Sequence, residues 1–194
     1  MEKPILATNI DGLLIDHSAF VEPHKAWFDR AIKKTKDTSL EQWKDHPEYF
    51  KGVNQAMEKI LPNASSEERT SQARTWYQED VIQYIKKHQE VIKYETIDKL
   101  KALKRKYYLV LITTSTQKHV NYILEAANLQ GIYDLVIASK TEQEPNKEEL
   151  IRELIQIKGK PKYYLTGKMD EGITSQLKKL EIKVIQADEI TKIK

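Results

Sequence analysis

Cysteine is absent from the 194 residues, which removes disulfide staples, thiolate nucleophiles and cysteine-based zinc centres and suits a reducing compartment. No stretch approaches the ~18 consecutive apolar residues of a membrane-spanning helix. The opening Met1-Glu2-Lys3-Pro4 lacks the basic segment and long apolar run of a secretion signal, so a cytoplasmic protein with no membrane partner is expected. A large charge of one sign is missing too. The 32 Lys and Arg nearly balance 29 Asp and Glu to leave +3, which gives no overall electrostatic case for nucleic acid or anionic lipid as partner. Glycine and proline number six each, and no repeat, low-complexity tract or flexible linker interrupts the chain. The five histidines show no metal-ligand spacing.

What is present is globular: 40% hydrophobic and 31% charged residues, with the apolar ones in ordered patterns. Short β-rich runs, Ile5 to Ile10, Tyr107 to Thr113, Leu135 to Ala138, Tyr163 to Thr166 and Lys183 to Gln186, alternate with segments of helical period. Most of these runs are continuously apolar, as strands covered on both faces are, and a parallel sheet follows. Val120, Ile123, Leu124 and Ala127, then Leu150, Ile151, Leu154 and Ile155, then Ile173, Leu177 and Leu180 mark crossover helices.

The stretch between the first two runs is too long for one crossover and holds no convincing strand, so it reads as an inserted helical unit. Pro23 suits the first turn of a helix carrying Trp27, Phe28, Ala31 and Ile32. Ser65 and Glu68 make a capping box that opens a long helix whose apolar positions include Trp76, Val81, Ile85 and Ile92. Asn63-Ala64-Ser65 is the turn entering that helix, and Thr96 caps the helix that returns to the core. The expected division is a core of 1–16 plus 95–194 and a cap of 17–94.

Ligands of open parallel sheets bind beyond the carboxyl ends of the strands. The residues there are Asn9-Ile10-Asp11-Gly12-Leu13-Leu14-Ile15-Asp16 after the first run and Thr113-Thr114-Ser115 after the second. Lys140 and then Glu144-Pro145 lie near the third, and Gly167-Lys168-Met169-Asp170-Glu171 follows the fourth. Each has a plain structural reading as well. Asp11-Gly12 is a common turn dipeptide, Lys140 and Lys168 suit a solvated surface, and Asp170 and Glu171 suit the first turn of a helix as well as a metal. Trp27, Trp43 and Trp76 suit packing within the cap.

Ile10-Asp11-Gly12 with Leu14-Ile15-Asp16, Leu111-Ile112-Thr113-Thr114, Glu144-Pro145-Asn146-Lys147-Glu148 and Tyr164-Leu165-Thr166-Gly167 come in an order that resembles the haloacid dehalogenase-like (HAD-like) superfamily over nearly the whole chain. The resemblance implies an α/β fold: a HAD-like Rossmannoid core, that is a doubly wound parallel sheet, with a helical cap inserted after the first strand. It also implies phosphomonoester chemistry, with Mg²⁺ as the cofactor of active members. The family's first motif is D-x-D-G-T, and its leading Asp attacks phosphorus. Here that place holds Asn9, whose neutral carboxamide is a poor nucleophile and a weaker ligand for a hard cation. Asp11 keeps the second Asp, the general acid and base. The leading Asp of the fourth motif aligns with Lys168, and an ammonium ~4 Å from Mg²⁺ would be repelled by roughly 8 kcal/mol at an effective dielectric near 20. Asp170 and Glu171 are the substitute metal ligands after a local shift. At the Lys of the third motif stands Glu144, with Lys140 or Lys147 able to reach in.

Three functions follow. In the first, a catalytically impaired relative holds a phosphorylated or anionic small molecule between core and cap, with Thr113, Thr114, Lys140 and Lys168 as donors, Asp11 as acceptor and no cofactor. In the second, an active Mg²⁺-dependent phosphomonoester hydrolase uses Asp11, Asp170 and Glu171 in a shifted arrangement, or Asn9 stands for a natural Asp. In the third, the pocket is vestigial and the cap helices carry a protein partner.

Overall fold

The computed structural model describes residues 2–141, 146–167 and 171–193, without the side chains of Glu171 and Gly172. Its strands are β1 (Ile5–Thr8), β2 (Tyr108–Thr116), β3 (Leu135–Ser139), β4 (Tyr163–Thr166) and β5 (Lys183–Gln186), paired in parallel in the order β3-β2-β1-β4-β5. The chain builds outward from β1 to β3, then crosses back to lay β4 on the other side of β1. The switch in direction therefore falls at β1, where open α/β sheets leave a crevice above the carboxyl ends of the strands.

Successive side chains of a strand face opposite layers. Leu6, Leu109, Leu111 and Leu165 pack into one apolar layer with α4 (Tyr94–Leu103) and α5 (Gln117–Ala126). Ala7, Val110, Ile112 and Tyr164 pack into the other with α6 (Lys147–Ile157) and α7 (Glu171–Lys179). Helices on both faces are the reason the strands read as unbroken apolar runs. β1 stops at Thr8, short of the expected Ile10, because the Ile10 carbonyl accepts from the N–H groups of Leu13 and Leu14 at 3.1 and 2.9 Å and turns the chain. β2 instead runs three residues beyond Thr113, with its register against β3 broken between Thr113 and Thr116.

The cap follows β1 as α1 (Ser18–Thr35), a 3₁₀ turn (Thr38–Trp43), α2 (Tyr49–Ile60) and α3 (Ser66–Lys87). Trp27, Phe28, Leu40, Ala56, Met57 and Ala73 form its own apolar cluster, with Trp43 and Trp76 packed against it. The capping box of Ser65 and Glu68 opens α3 as expected. The other cap boundaries differ. α1 begins at Ser18, five residues before Pro23, because the Asp16 carboxylate accepts from Ser18 N at 3.0 Å and satisfies an orphan donor of the first turn. Pro23 is buried inside the helix. α3 ends at Lys87, so Ile92 lies beyond it and pairs with Ile15 in antiparallel register. α4 starts at Tyr94, before Thr96. The two segments joining core and cap are thereby stitched together: Asp16 N donates to Val91 O at 2.8 Å and Lys93 N to Leu14 O at 2.9 Å.

Candidate functional site

The turn after β1 is set by two close approaches. Gly12 has φ +71 and its backbone packs on Gly167, where a Cβ would sit 1.8 Å from Gly12 C and 2.1 Å from Leu13 N. Only glycine fits at 167. The contact brings the ends of β1 and β4 together, and Asn9 fastens them: its Oδ1 accepts from Gly167 N at 3.3 Å and its Nδ2 donates to the Asp11 carbonyl at 3.0 Å. Asn9 is buried. Asp11 points its carboxylate at His17, whose Nδ1 lies 2.9 and 3.0 Å from the two oxygens. Lys93 Nζ donates to the Gly12 carbonyl at 2.8 Å and sits 3.6 Å from Asp16. The Ser18 N–H and, secondarily, Lys93 hold the Asp16 carboxyl below its ordinary range.

Above this turn a cleft of about 1130 Å³ opens between core and cap. Asn9, Asp11, His17, Thr113, Thr114 and Ser115 line its core end. Asp11, Thr113 and Gly167 thus converge at one edge of the sheet, as strand order requires. Thr113 Oγ1 accepts from Ser115 N at 3.1 Å, and the Thr114 carbonyl accepts from Arg74 of α3 at 2.9 Å, a direct tie between core and cap. Lys140 does not line the cleft. It is exposed and ion-paired with Glu153 of α6 at 2.9 Å, which holds its ammonium away from the cleft. Lys147, the first residue of α6, takes the place at the cleft, its Nζ 5.6 Å from the centre of the Tyr164 ring. Lys168 and Asp170 lie outside the described residues, as do Glu144 and the side chain of Glu171.

The cap end of the cleft is lined by Phe20, His24, Trp27, Tyr49, Phe50 and Tyr77. His24 stands edge-on to Tyr49, Phe28 and Tyr77, with ring centres 4.6, 5.2 and 6.5 Å away. Burial there pulls the His24 imidazole below its ordinary range, against opposing contributions from the Lys44 backbone and Asp45. Burial, aided by Tyr49 and Asp11, pushes the Tyr77 hydroxyl up, so it stays protonated and donates to the Phe20 carbonyl at 3.1 Å. Trp27 Nε1 and Gln78 Oε1, both on residues of the cleft wall, have no hydrogen-bond partner among the described residues.

His17, Arg74 and His24 were not singled out by sequence reasoning. His17 had a signal, since it follows directly on the Asp16 that closes the motif frame. Arg74 and His24 had none, because only the folding of the cap brings them to the cleft.

Mg²⁺ takes hard oxygen ligands in a near-octahedral set. Among the described residues the site offers one carboxylate, Asp11, already bonded to His17, and the Asn9 carboxamide, whose two ends are bonded to backbone. No group of three or more His, Cys, Asp or Glu side chains among the described residues is placed to hold a metal. These described donors alone do not make up a Mg²⁺ set, and Asp170 and the Glu171 side chain lie outside the described residues. No helix among them is long and apolar enough to cross a membrane.

The fold matches proteins already known. A haloacid dehalogenase-like family hydrolase from Streptococcus pneumoniae superposes with a TM-score of 0.59 at 15% identity, covering 94% of this chain and 83% of that one. CbbY from Rhodobacter sphaeroides, solved in complex with phosphate, superposes at 0.57 with 13% identity over 95% of this chain and 85% of its own. In sequence, the chain is 27% identical over 179 residues to the phosphoglycolate phosphatase of Aquifex aeolicus (strain VF5), covering 87% of this chain and 78% of the relative. The family model described as haloacid dehalogenase-like hydrolase matches residues 9–163, from the residue that fastens β1 to β4 through the start of β4 itself. With the motif order, the inserted cap and the sheet order all in agreement, the chain belongs to the haloacid dehalogenase-like hydrolase family.

Proposed function

We propose that this chain holds a phosphorylated or otherwise anionic small molecule in the cleft between core and cap, without forming a phosphoenzyme at its first motif. The observation that carries the reading is Asn9. A carboxylate at that place attacks phosphorus, whereas this carboxamide is neutral and spends its oxygen on Gly167 and its NH₂ on Asp11. The surroundings support an anion. Thr113, Ser115, Arg74 and Lys147 meet at the core end, and Lys168 follows directly after Gly167 in the chain. The phosphate bound to the structurally similar CbbY supports the same ligand chemistry. As a HAD-like protein with altered positions, the chain is read as catalytically impaired, with the cap of 17–94 closing over the core of 1–16 and 95–194.

Asp11 favours a second reading. Its carboxylate is kept at the cleft and oriented by His17, which is what an acid and base needs. An active Mg²⁺-dependent phosphomonoester hydrolase with ligands drawn from Asp170 and Glu171 is that alternative. The interaction-module reading has less support: of the exposed large hydrophobics among the described residues, only Phe50 and Tyr94 fall within 17–94, Phe50 standing at the cleft and Tyr94 opening α4 on the return to the core. The test is turnover of generic phosphomonoesters by purified protein with and without Mg²⁺. Background rates are expected, and robust metal-dependent hydrolysis establishes the second reading.

A further inference from the structure

The two ends of the cleft are chemically unlike. The core end is polar, and the cap end is aromatic. Water in the liquid occupies about 30 Å³ per molecule, so a cleft of about 1130 Å³ far exceeds what a phosphate, or a phosphate on a two-carbon acid, would fill. Clefts of this size suit an organic group with an extended surface.

The charges around the cap end decide what kind of group. Lys44 is engaged by Asp29 and Glu41, both at 2.6 Å, and Asp45 lies 3.4 Å from Lys25. Each charge there already has an opposite neighbour on the cap itself, so neither a second anion nor a cation on the ligand is served. Arg74 is drawn instead to the core end, at Thr114. Beyond the unpartnered Trp27 Nε1 and Gln78 Oε1, what remains is ring surface. Tyr49 and Phe50 lie with ring centres 4.1 Å apart at an interplanar angle of 31°, and Phe50 is 45% exposed although it stands at the cleft. A large apolar ring left in water at the mouth of a cleft gains most from a flat partner that covers it.

Resting on the reading of an anion at the core end, we propose that the organic part of the ligand is a planar aromatic group, stacked at the Tyr49–Phe50 wall while its phosphate or equivalent anion lies toward Thr113 and Lys147. A small hydroxy-acid phosphate leaves this wall uncovered and is not the ligand the cleft is shaped for.

The test is calorimetric titration of the full chain with four probes: inorganic phosphate, 2-phosphoglycolate, 1-naphthyl phosphate and 1-naphthol. The expected result is that naphthyl phosphate binds at least tenfold more tightly than phosphate or phosphoglycolate. Phe50→Ala should bring it back to within a few-fold of phosphate while leaving phosphate binding unchanged. Phe50 is exposed, so its variant keeps the fold, and Phe50→Leu separates stacking from mere apolarity by losing most of the same preference. If phosphate binds and the naphthyl group adds nothing, or if Phe50→Ala leaves the preference intact, the aromatic inference is overturned and the anion reading stands. If naphthol binds as well as naphthyl phosphate, and that binding falls in Phe50→Ala, the aromatic wall is upheld and the anion reading fails. If none of the four binds at millimolar concentration, both fall.

Discussion

Gly167 donates its backbone N–H to the side-chain oxygen of Asn9 across 3.3 Å, so the residue at the nucleophile position serves as a clasp between β1 and β4. The other end of the same amide donates to the Asp11 carbonyl at 3.0 Å. An Asp in this place keeps the first bond and loses the second, and its carboxylate oxygen then faces a carbonyl oxygen. Asn9→Asp should therefore lower stability by about 1–3 kcal/mol, the usual penalty for leaving a buried polar group unpaired. It should also recover little phosphatase activity if, as the proposed reading has it, Lys168 takes the place of the fourth motif's Asp. Thermal denaturation and a Mg²⁺-supplemented phosphatase assay check both halves; strong recovery of turnover would show that Asn9 alone limits the chemistry.

The approach of Gly12 to Gly167 predicts a second effect. A Cβ at 167 meets backbone atoms at 1.8 and 2.1 Å, and backbone cannot swing aside as a flexible side chain can. Gly167→Ala should cost about 3 kcal/mol or more by overpacking, which for a chain of this length lowers Tm by on the order of 10 °C. An unchanged Tm would mean that the ends of β1 and β4 do not touch in solution.

The sheet was legible because most of its strands are apolar on both faces, so that runs such as Leu109 to Ile112 stand out from everything around them. Thr113 and Asp11 were placed correctly by strand order alone. Boundaries set by single side chains were harder: the Asp16 carboxylate starts α1 before Pro23, and nothing in the periodicity marks that cap. Ile92 fits the helical spacing of α3, yet the chain leaves the helix after Lys87 in order to pair with Ile15. Lys140 and Lys147 were indistinguishable as cations near the third strand, since which of them reaches the cleft depends on how α6 docks. Arg74 lies forty positions from the carbonyl it binds, a separation no local pattern can bridge.

His24 gives the cap a pH dependence. Burial holds its imidazole below the ordinary 6.5, so the fold favours the neutral form. A depressed folded pKa contributes stability that is present above about pH 6.5 and is lost as pH falls through the lower, folded value. The Lys44 backbone and the charges of Asp45 and Lys25 modify the shift without reversing it. His24→Gln should be destabilising at pH 7.5, where the imidazole packs neutral against Tyr49 and Phe28. The Tm difference between wild type and variant should shrink toward pH 5. A difference that stays constant across this range would mean that His24 does not change protonation with unfolding.

Lys147 and Lys168 carry the last prediction, which concerns where the positive charge of the anion site comes from. In active relatives a metal supplies it; on the proposed reading lysine serves in its place. Inorganic phosphate should then bind with modest affinity in the absence of Mg²⁺ and weaken as salt is raised, because exposed charge pairs are screened. Loss of one charge-assisted hydrogen bond is worth about 1.5–3 kcal/mol, so Lys168→Ala should weaken phosphate binding by roughly tenfold or more. Lys147→Met keeps the apolar stem beside Tyr164 and removes only the ammonium, so a similar loss there reports charge and not packing. Titration calorimetry with each variant, with and without Mg²⁺, measures the effect. Binding that requires Mg²⁺ would return the site to metal-dependent chemistry, and phosphate affinity unaltered in both variants would place the anion elsewhere on the protein.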